Sequence, residues 1–340
     1  MPARSGVTIR DVAALAGVSH QTVSRVINGY ERVSPETRRK VEEAITQLDF
    51  RPNVYARFMA SGHTRNLGCI TPNLTDYTFA RIIEGAETKA RHLGYSVISA
   101  STQDESTFSS LVDELIPTGR TEGLVVINPY VDQVFTLLPQ GFPLVFLGTT
   151  AREGWADAVR LDDLNAGRAA TQHLLDLGHT QIAILTGSIE EDCARDRLTG
   201  YQQALFERGI QPQQDLIIYG DWSPKSGYEN IFRLLEGKLP FSAIFAQNDC
   251  IALGAIRGLN EAGLSVPKDV SIIGFDDIPL SAYFNPALTT MRQDFFEIGW
   301  MAAHRLIERI QNPFQPFKQL HLSAELIVRN STTAYLGKEV

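Results

Sequence analysis

The run TIRDVAALAGVSHQTVSRVIN, residues 8–28, decides the first part of the fold because each of its boundaries carries its own capping chemistry. Thr8 can cap a helix, and Asp11 three residues later favours the same helix N-terminus. Gly17 ends that helix where a left-handed residue is needed, and Ser19 caps the next helix. We therefore predict two short helices joined by a tight turn, which is the helix-turn-helix arrangement.

The second of these helices carries polar side chains that suit contact with DNA bases. They lie on the side away from the valines of the helix and are His20, Gln21, Thr22, Ser24 and Arg25. Side chains of these types hydrogen-bond to base edges in the major groove. A third helix begins at Ser34-Pro35, where serine caps and proline takes the first helical position. We predict that residues 1–52 form a DNA-binding helix-turn-helix domain.

The charges of the chain are divided unevenly along it. Over all 340 residues the formal net charge is −8 at pH 7. Residues 1–65 hold ten basic and six acidic residues, a net charge of +4, whereas the remaining 21 basic and 33 acidic residues give −12. A positively charged N-terminal segment on an otherwise negatively charged chain is typical of a protein whose N-terminal segment contacts nucleic-acid phosphates and whose remainder does not.

Cysteine use and hydropathy limit the compartment in which we expect the protein. Cys69, Cys193 and Cys250 are few and far apart, which argues against a disulfide framework. The N-terminus has no apolar signal core, and no apolar run approaches the length of a membrane span. We therefore expect a cytoplasmic protein with no membrane partner.

Beyond residue 66, short apolar strands alternate with amphipathic helices, several of them closed by glycine. A first series starts at LGCIT (67–71) and reaches residue 161, and a second ends with VSIIGF (270–275). In the second series one helix is predicted at 196–208. Such alternation is the signature of parallel, doubly wound sheets. We predict an α/β fold with two such lobes, preceded by the small all-α helix-turn-helix domain.

Polar and aromatic side chains follow the predicted strands, at the sheet edge where ligands bind in such folds. They are Phe79, Gln103, Trp222, Asn248 and Asp276, with Arg197 after the strand at 181–187. Carboxylates, amides and arginine hydrogen-bond to hydroxyl groups, and aromatic rings pack on the apolar face of a sugar ring. The pattern therefore favours a site for a polyhydroxylated ligand.

No set of residues has the spacing of a catalytic or metal site. The seven histidines show no metal-ligand spacing, and Gly187-Ser188 lacks the pattern of a nucleophile elbow. A glycine-rich loop that could cradle phosphate is also missing from the sequence. We expect no catalytic residues, no metal and no cofactor, and hence a protein that is not an enzyme.

Several motifs together resemble a known family. Besides residues 8–29 they are VSPETRRKVEEAITQLDFRPN (33–53), ARDRLTGY (194–201), NDCIALGA (248–255), DVSIIGFDD (269–277) and LTTMRQDF (288–295). Over essentially its full length the chain resembles the LacI-type (LacI/GalR) bacterial transcriptional repressors, with motifs most similar to the lactose-repressor-like members.

This resemblance implies a domain plan and a set of DNA contacts. The effector lobes, of periplasmic-binding-protein type, would be discontinuous: 66–161 plus 295–322, and 162–294 plus 323–335. Residues 53–65 would form a hinge helix and linker, with Met59 as the wedge in the minor groove. The implied DNA-binding residues are Thr8, His20, Gln21, Thr22, Ser24, Arg25, Asn28, Asn53, Ala56, Met59 and Ala60. A homodimer on a near-palindromic operator would be the DNA-bound form.

The resemblance also implies an effector site between the lobes. Its residues would be Phe79, Gln103, Arg197, Trp222, Asn248, Asp276, Gln293 and Phe295. From its position directly after a predicted strand, Asp249 is expected to be a helix cap instead. Lactose-type members have an acidic ligand-binding residue where this chain has Gly148, so a galactoside is not specifically predicted. We expect a small-molecule effector, a sugar, that releases the repressor from its operator.

Other functions compete with this interpretation. A purine- or metabolite-responsive regulator that needs its effector as corepressor is the first alternative, because Phe79 and Trp222 could stack a base between them. A solute-binding protein for transport would account for residues 66–335, but it leaves the basic N-terminal segment unexplained. An enzyme that acts on a sugar is countered by the lack of an acid/base pair.

Overall fold

The computed structural model describes residues 7–27, 30, 32–50, 63–128, 133–149, 155–237, 239–337 and 340, and it divides into two units, Met1–Thr64 and Arg65–Val340. The first unit contains helices α1 (Ile9–Ala16), α2 (His20–Ile27) and α3 (Pro35–Gln47). The helices described in the second unit are α4 (Tyr77–His92), α5 (Glu105–Leu115), α6 (Gln133–Thr136), α7 (Asp163–Asp176), α8 (Asp192–Glu207), α9 (Pro224–Glu236), α10 (Asp249–Glu261) and α11 (Phe295–Gln311). Its strands are β1 (Asn66–Thr71), β2 (Ser96–Ser101), β3 (Gly123–Ile127), β4 (Leu144–Leu147), β5 (Asp157–Leu161), β6 (Ile182–Leu185), β7 (Ile217–Ile218), β8 (Ala243–Ala246), β9 (Ser271–Asp276), β10 (Thr289–Arg292), β11 (Gln319–Leu322) and β12 (Glu325–Ile327).

The first unit is the predicted helix-turn-helix, and its caps are the predicted ones. The Thr8 amide and hydroxyl both donate to Asp11 Oδ2, at 2.8 and 2.7 Å. Gly17 has φ +66°, the left-handed conformation that ends α1. Ser19 Oγ accepts from the Thr22 amide at 3.1 Å and starts α2. The three helices enclose one apolar cluster that consists of Val12, Ala13, Val23, Val26, Val41, Ala44 and Phe50.

The second unit contains the two predicted α/β lobes. The first lobe is built on the sheet β11-β5-β4-β3-β1-β2, in which all neighbouring strands are parallel. The second lobe is built on the sheet β12-β10-β9-β8-β6-β7, which is parallel except where β12 runs antiparallel to β10. Parallel strands place all their carboxyl ends at one edge, so loops from distant parts of the chain meet there.

The chain passes between the lobes three times. It leaves the first lobe after β5, returns after β10, and leaves again between β11 and β12. The returning helix α11 packs into the first lobe, where Phe295 and Ile298 join the apolar cluster of Leu67 and Val125. Three connections at one boundary suit rotation of two rigid bodies about a hinge.

A buried ion cluster holds the edge of the first lobe. Asp157, at the start of β5, accepts from Arg305 Nε at 2.8 Å, Arg309 Nε at 2.9 Å and the Lys318 amide at 2.8 Å. All three charged side chains are buried. Both arginines also donate to the carbonyl of Pro316. One carboxylate therefore ties β5, α11 and the segment before β11 together.

Replacing Asp157 with Asn should destabilise the protein strongly, because two buried guanidinium groups would lose the buried carboxylate that they share, and Arg305 would keep only the half-exposed Glu308 as a paired carboxylate. We expect a loss of about 3–5 kcal/mol in the free energy of unfolding. Urea denaturation followed by circular dichroism measures it. Asp176→Asn is the control, since Asp176 pairs with Arg208 on the exposed surface and should cost less than about 1 kcal/mol. Equal losses in the two variants would contradict the assigned role of the cluster.

Candidate functional site

A cavity of about 670 Å³ lies between the two lobes, at the carboxyl ends of their strands. Its size falls within the roughly 300–1,000 Å³ of small-molecule sites. All eight residues predicted from the sequence line it, namely Phe79, Gln103, Arg197, Trp222, Asn248, Asp276, Gln293 and Phe295. The fold thus brings together residues that are up to 216 positions apart in the chain.

Arg197, on α8, is a buried cation on the cavity wall. Its Nε donates to Asp163 Oδ1 at 2.8 Å, and its Nη1 donates to the Gln247 carbonyl at 2.6 Å. The guanidinium carbon lies 3.7 Å from the centroid of the Phe275 ring and 5.6 Å from that of Trp222. These contacts orient the guanidinium group in the wall as a fixed donor.

Asp276 lies at the end of β9 with a positive φ of +111°. Its Oδ1 accepts from Gln293 Nε2 at 2.7 Å. Desolvation raises the pKa of the Asp276 carboxyl well above its usual range, the nearby charge of Arg197 opposes that shift, and Asp249 and Asp76 add to it. A ligand that donates hydrogen bonds to this carboxylate would therefore offset part of the desolvation cost that burial imposes on its charged form.

The aromatic residues on the cavity wall differ in their surroundings. Trp222 is half-buried, and its Nε1 donates to Glu191 Oε1 at 2.6 Å. Phe79 is also half-buried, on α4. Phe295 is 92% buried and packs in the core of the first lobe, so only a small part of its ring is exposed to the cavity. Trp222 and Phe79 thus present the more accessible ring surface.

The prediction that Asp249 is a helix cap was wrong. Asn248 is the residue that caps α10, with Oδ1 accepting from the Ile251 amide at 2.7 Å. Asp249 is completely buried and accepts from the Ile278 amide, Ser281 Oγ and Thr290 Oγ1. Its partners follow it by 29 to 41 residues. It therefore joins the start of α10 to the segment that follows β9 and to the first half of β10.

Asn128 and Glu191 are among the cavity residues that the sequence reasoning missed. Helix α8 begins at Asp192, four residues before the predicted start at 196, so Glu191 lies at its N-terminus. Asn128 follows β3 and donates through Nδ2 to Glu191 Oε2 at 3.4 Å. A Cβ atom at Gly148 would overlap the Asn128 side-chain oxygen. The space beside Gly148 is therefore filled by Asn128.

The predicted DNA-reading residues are partly described. His20, Gln21 and Arg25 are exposed on α2, whereas Thr22 and Ser24 are half-buried on the same helix. Thr8 is exposed and forms the cap of α1. The remaining predicted positions lie outside the described residues; they are Asn28, Asn53, Ala56, Met59 and Ala60. Residues 53–62 of the predicted hinge lie outside them as well.

Comparisons with known proteins agree over both parts of the chain. Residues 8–53 match the model of bacterial regulatory proteins of the lacI family, and residues 171–332 match that of a periplasmic binding protein-like domain. The HTH-type transcriptional repressor PurR of Actinobacillus pleuropneumoniae is 36% identical over 95% of this chain and 98% of its own length. The chain belongs to the LacI family.

Other LacI-family proteins are similar over their whole lengths. The ribose operon repressor of Escherichia coli K12 is 33% identical over 95% of this chain and 99% of its own. The lac repressor dimer bound to operator and the anti-inducer ONPF is 33% identical, with a TM-score of 0.88 over 97% of this chain and 100% of that one. This LacI-family chain is accordingly a DNA-binding transcriptional repressor with two parallel-sheet lobes.

Among the described residues, no group of three or more His, Cys, Asp or Glu side chains is placed to hold a metal ion. In the same part of the chain, no helix combines the length and the apolar character that a membrane span requires.

Burial raises the pKa of Asp249 to about 6, with the Asp277 charge as a smaller contribution. The unfolded value is about 3.9. The stability linked to the protonated form is therefore present below about pH 4 and lost as the pH rises through 6. Asp249→Asn stays neutral at every pH. We therefore expect the stability of this variant relative to wild type to increase as the pH rises from 4.5 to 7.5, as measured by the midpoints of urea denaturation.

Asp113→Asn, at an exposed position of α5, is the matched control for the loss of one charge. A stability difference between Asp249→Asn and wild type that does not change with pH would contradict the assigned ionisation.

Proposed function

We propose that this repressor binds a small uncharged carbohydrate in the cavity between its lobes, and that the bound sugar lowers its affinity for operator DNA. The observation that carries the proposal is the combination, in one cavity, of the Asp276 carboxylate, the Arg197 guanidinium and the half-buried Trp222 ring. A sugar offers hydroxyl groups that both donate and accept, together with an apolar ring face.

The polar groups leave positions open for a ligand. Within the described residues, the hydrogen bonds of Arg197 use Nε and Nη1, and that of the Asp276 side chain uses Oδ1. Arg197 Nη2 and Asp276 Oδ2 thus remain as one donor and one acceptor for neighbouring hydroxyl groups. A hydrogen bond to a charged partner contributes about 1.5–3 kcal/mol.

The charge of the wall favours an uncharged ligand. The lining holds five carboxylates, Asp76, Asp163, Glu191, Asp221 and Asp276, against two arginines, Arg160 and Arg197. Both arginines are already paired, with Asp196 and Asp163 respectively. A phosphorylated ligand would therefore meet more acidic than basic side chains in the wall, and like charges brought together disfavour binding.

A purine base is the second candidate. Phe79 comes from the first lobe and Trp222 from the second, so the two rings could hold a planar base between them. The similarity to PurR also favours this candidate. Effector and operator binding could then be coupled in the opposite sense, with the base as corepressor.

A thermal-shift panel separates the two candidates, because a ligand that binds only the folded state raises the melting temperature. The panel contains ribose, galactose, glucose and cellobiose beside hypoxanthine, guanine and adenine. A rise with one sugar and with none of the bases supports the proposal. A rise confined to a base overturns the carbohydrate assignment in favour of the alternative.

Operator binding is tested with DNA from upstream of the protein's own gene. Since the lac repressor neighbour is a dimer on its operator, we propose a homodimer on a near-palindromic site here also. Gel retardation by the unliganded protein, abolished by the sugar that raises the melting temperature, is the expected result. Tighter DNA binding with that sugar would overturn the inducer role.

Arg25→Ala should weaken operator binding, because Arg25 is an exposed cation in the last turn of the DNA-reading helix α2. A specific base or phosphate contact contributes about 1–3 kcal/mol. Fluorescence anisotropy with labelled operator at fixed salt measures the change. Arg39→Ala, which removes an exposed arginine from α3, is the control, and equal losses in both variants would refute the specific role of Arg25.

Asp276→Asn should leave operator binding intact and weaken the response to the effector about ten- to hundredfold, because the charged acceptor is lost. Titration of the repressor–operator complex with the active sugar gives the midpoint. Asp215→Asn removes an exposed charge from the same lobe, outside the cavity lining, and should keep the wild-type midpoint. An unchanged midpoint for Asp276→Asn would remove Asp276 from the site.

A further inference from the structure

Glu191 is the centre of a hydrogen-bonded chain that crosses the cavity between the lobes. Its Oε1 accepts from Trp222 Nε1 at 2.6 Å in the second lobe, and its Oε2 accepts from Asn128 Nδ2 at 3.4 Å in the first. All three side chains line the cavity. One carboxylate therefore contacts both lobes and orients the aromatic ring on the wall.

The carboxylate of Glu191 has uncharged partners only, among the hydrogen bonds of the described residues. Besides Trp222 and Asn128, the third is the Cys193 thiol, with Sγ 3.9 Å from Oε2. Arg197 attracts it from a distance, but the guanidinium itself is bonded to Asp163. Desolvation by burial raises the pKa of Glu191, and the hydrogen bonds together with the charge of Arg197 oppose that rise. In its ionised form, Glu191 therefore has no directly bonded cation among the described residues.

The backbone around this carboxylate is adapted to the contact with Asn128. Asn128 itself has a positive φ of +42°, and Gly148 has one of +70°. A side chain at position 148 would overlap the Asn128 side chain. It would also be strained, because residues other than glycine rarely adopt this positive φ. Glycine at this position therefore leaves room for Asn128 to reach across to Glu191, which makes the contact a built feature of the site.

We propose that Glu191 is a specificity-determining residue that restricts the cavity to uncharged ligands and rejects their phosphorylated forms. Its charge is held in place by Trp222 and Asn128 and is not neutralised by a neighbouring cation. A phosphate group brought into the cavity meets this charge in a desolvated setting, where repulsion is strong. The inference rests on the effector role proposed for the cavity but not on the effector's being a sugar.

The test compares uncharged compounds with their own phosphates. Ribose and ribose 5-phosphate, galactose and galactose 6-phosphate, and inosine and inosine 5′-monophosphate are titrated at pH 8 by calorimetry. The full-length proteins are wild type, Glu191→Gln and Glu190→Gln. Gln keeps the size of the side chain and an acceptor for Trp222, whereas Glu190 is exposed and outside the cavity lining. Glu190→Gln is therefore the control that removes one negative charge outside the cavity.

In each pair that binds, we expect wild type and Glu190→Gln to prefer the uncharged compound. Glu191→Gln should narrow the ratio of dissociation constants, phosphorylated over uncharged, by about tenfold or more. A purely structural role would weaken both members of a pair alike and leave the ratio unchanged, and that result overturns the proposal. An equal change in Glu190→Gln, or no binding by any pair in any protein, overturns it too.

Asn128→Ala supplies a second readout, because it removes the contact with the first lobe while the Glu191 charge remains. The ratio should then stay at its wild-type value even if both affinities fall. Binding confined to the inosine pair would defeat the carbohydrate assignment, while the ratio in that pair still decides the role of Glu191. The two proposals therefore fail separately.

Discussion

The buried guanidinium of Arg197 is the constraint on which the geometry of the cavity depends. A charge removed from water must be met by fixed groups, and here they are Asp163 on α7 and the carbonyl of Gln247 at the end of β8. The Gln247 side chain continues the network, accepting from the Gly187 amide and donating to the Ala194 carbonyl, both at 3.0 Å. Satisfying one cation therefore sets the relative positions of α7, α8 and the strand ends around them.

The same constraint accounts for the excess of negative charge in the cavity. Because Asp163 neutralises Arg197, the other carboxylates of the lining are balanced mainly by hydrogen bonds from uncharged donors. Asp276 and Glu191 are the clearest cases, with Gln293 and Trp222 as donors. Such groups interact most favourably with a ligand rich in hydroxyl donors, since each new hydrogen bond compensates desolvation that folding has already imposed.

Features that depend on neighbours in the chain could be predicted from the sequence. The caps at Thr8 and Ser19, the alternation of strands and helices, and the polar residues after each strand all follow from short-range chemistry. Family resemblance added Gln293 and Phe295, which precede and begin a helix that returns to the first lobe. The residues after the strands and the residues taken from the family resemblance together account for the eight predicted cavity residues.

Features that depend on distant partners could not be predicted. The run EEDCARD around the start of α8 has no apolar periodicity, so the helix was placed too late and Glu191 was passed over. Its partner Asn128 is 63 residues away, and only the folded chain shows why glycine is needed at 148. Asp249 was misassigned for the same reason, since a carboxylate beside a helix start reads as a cap until its later partners are known.

The threefold passage of the chain between the lobes also has a consequence for synthesis. Strand β11 completes one edge of the first sheet and β12 one edge of the second, yet both lie within residues 319–327. During translation the first lobe must wait until all of the second lobe's strands except β12 have been made before α11 and β11 can join it. A chain that stops before residue 319 would expose an unpaired strand edge in each sheet, a template for aggregation.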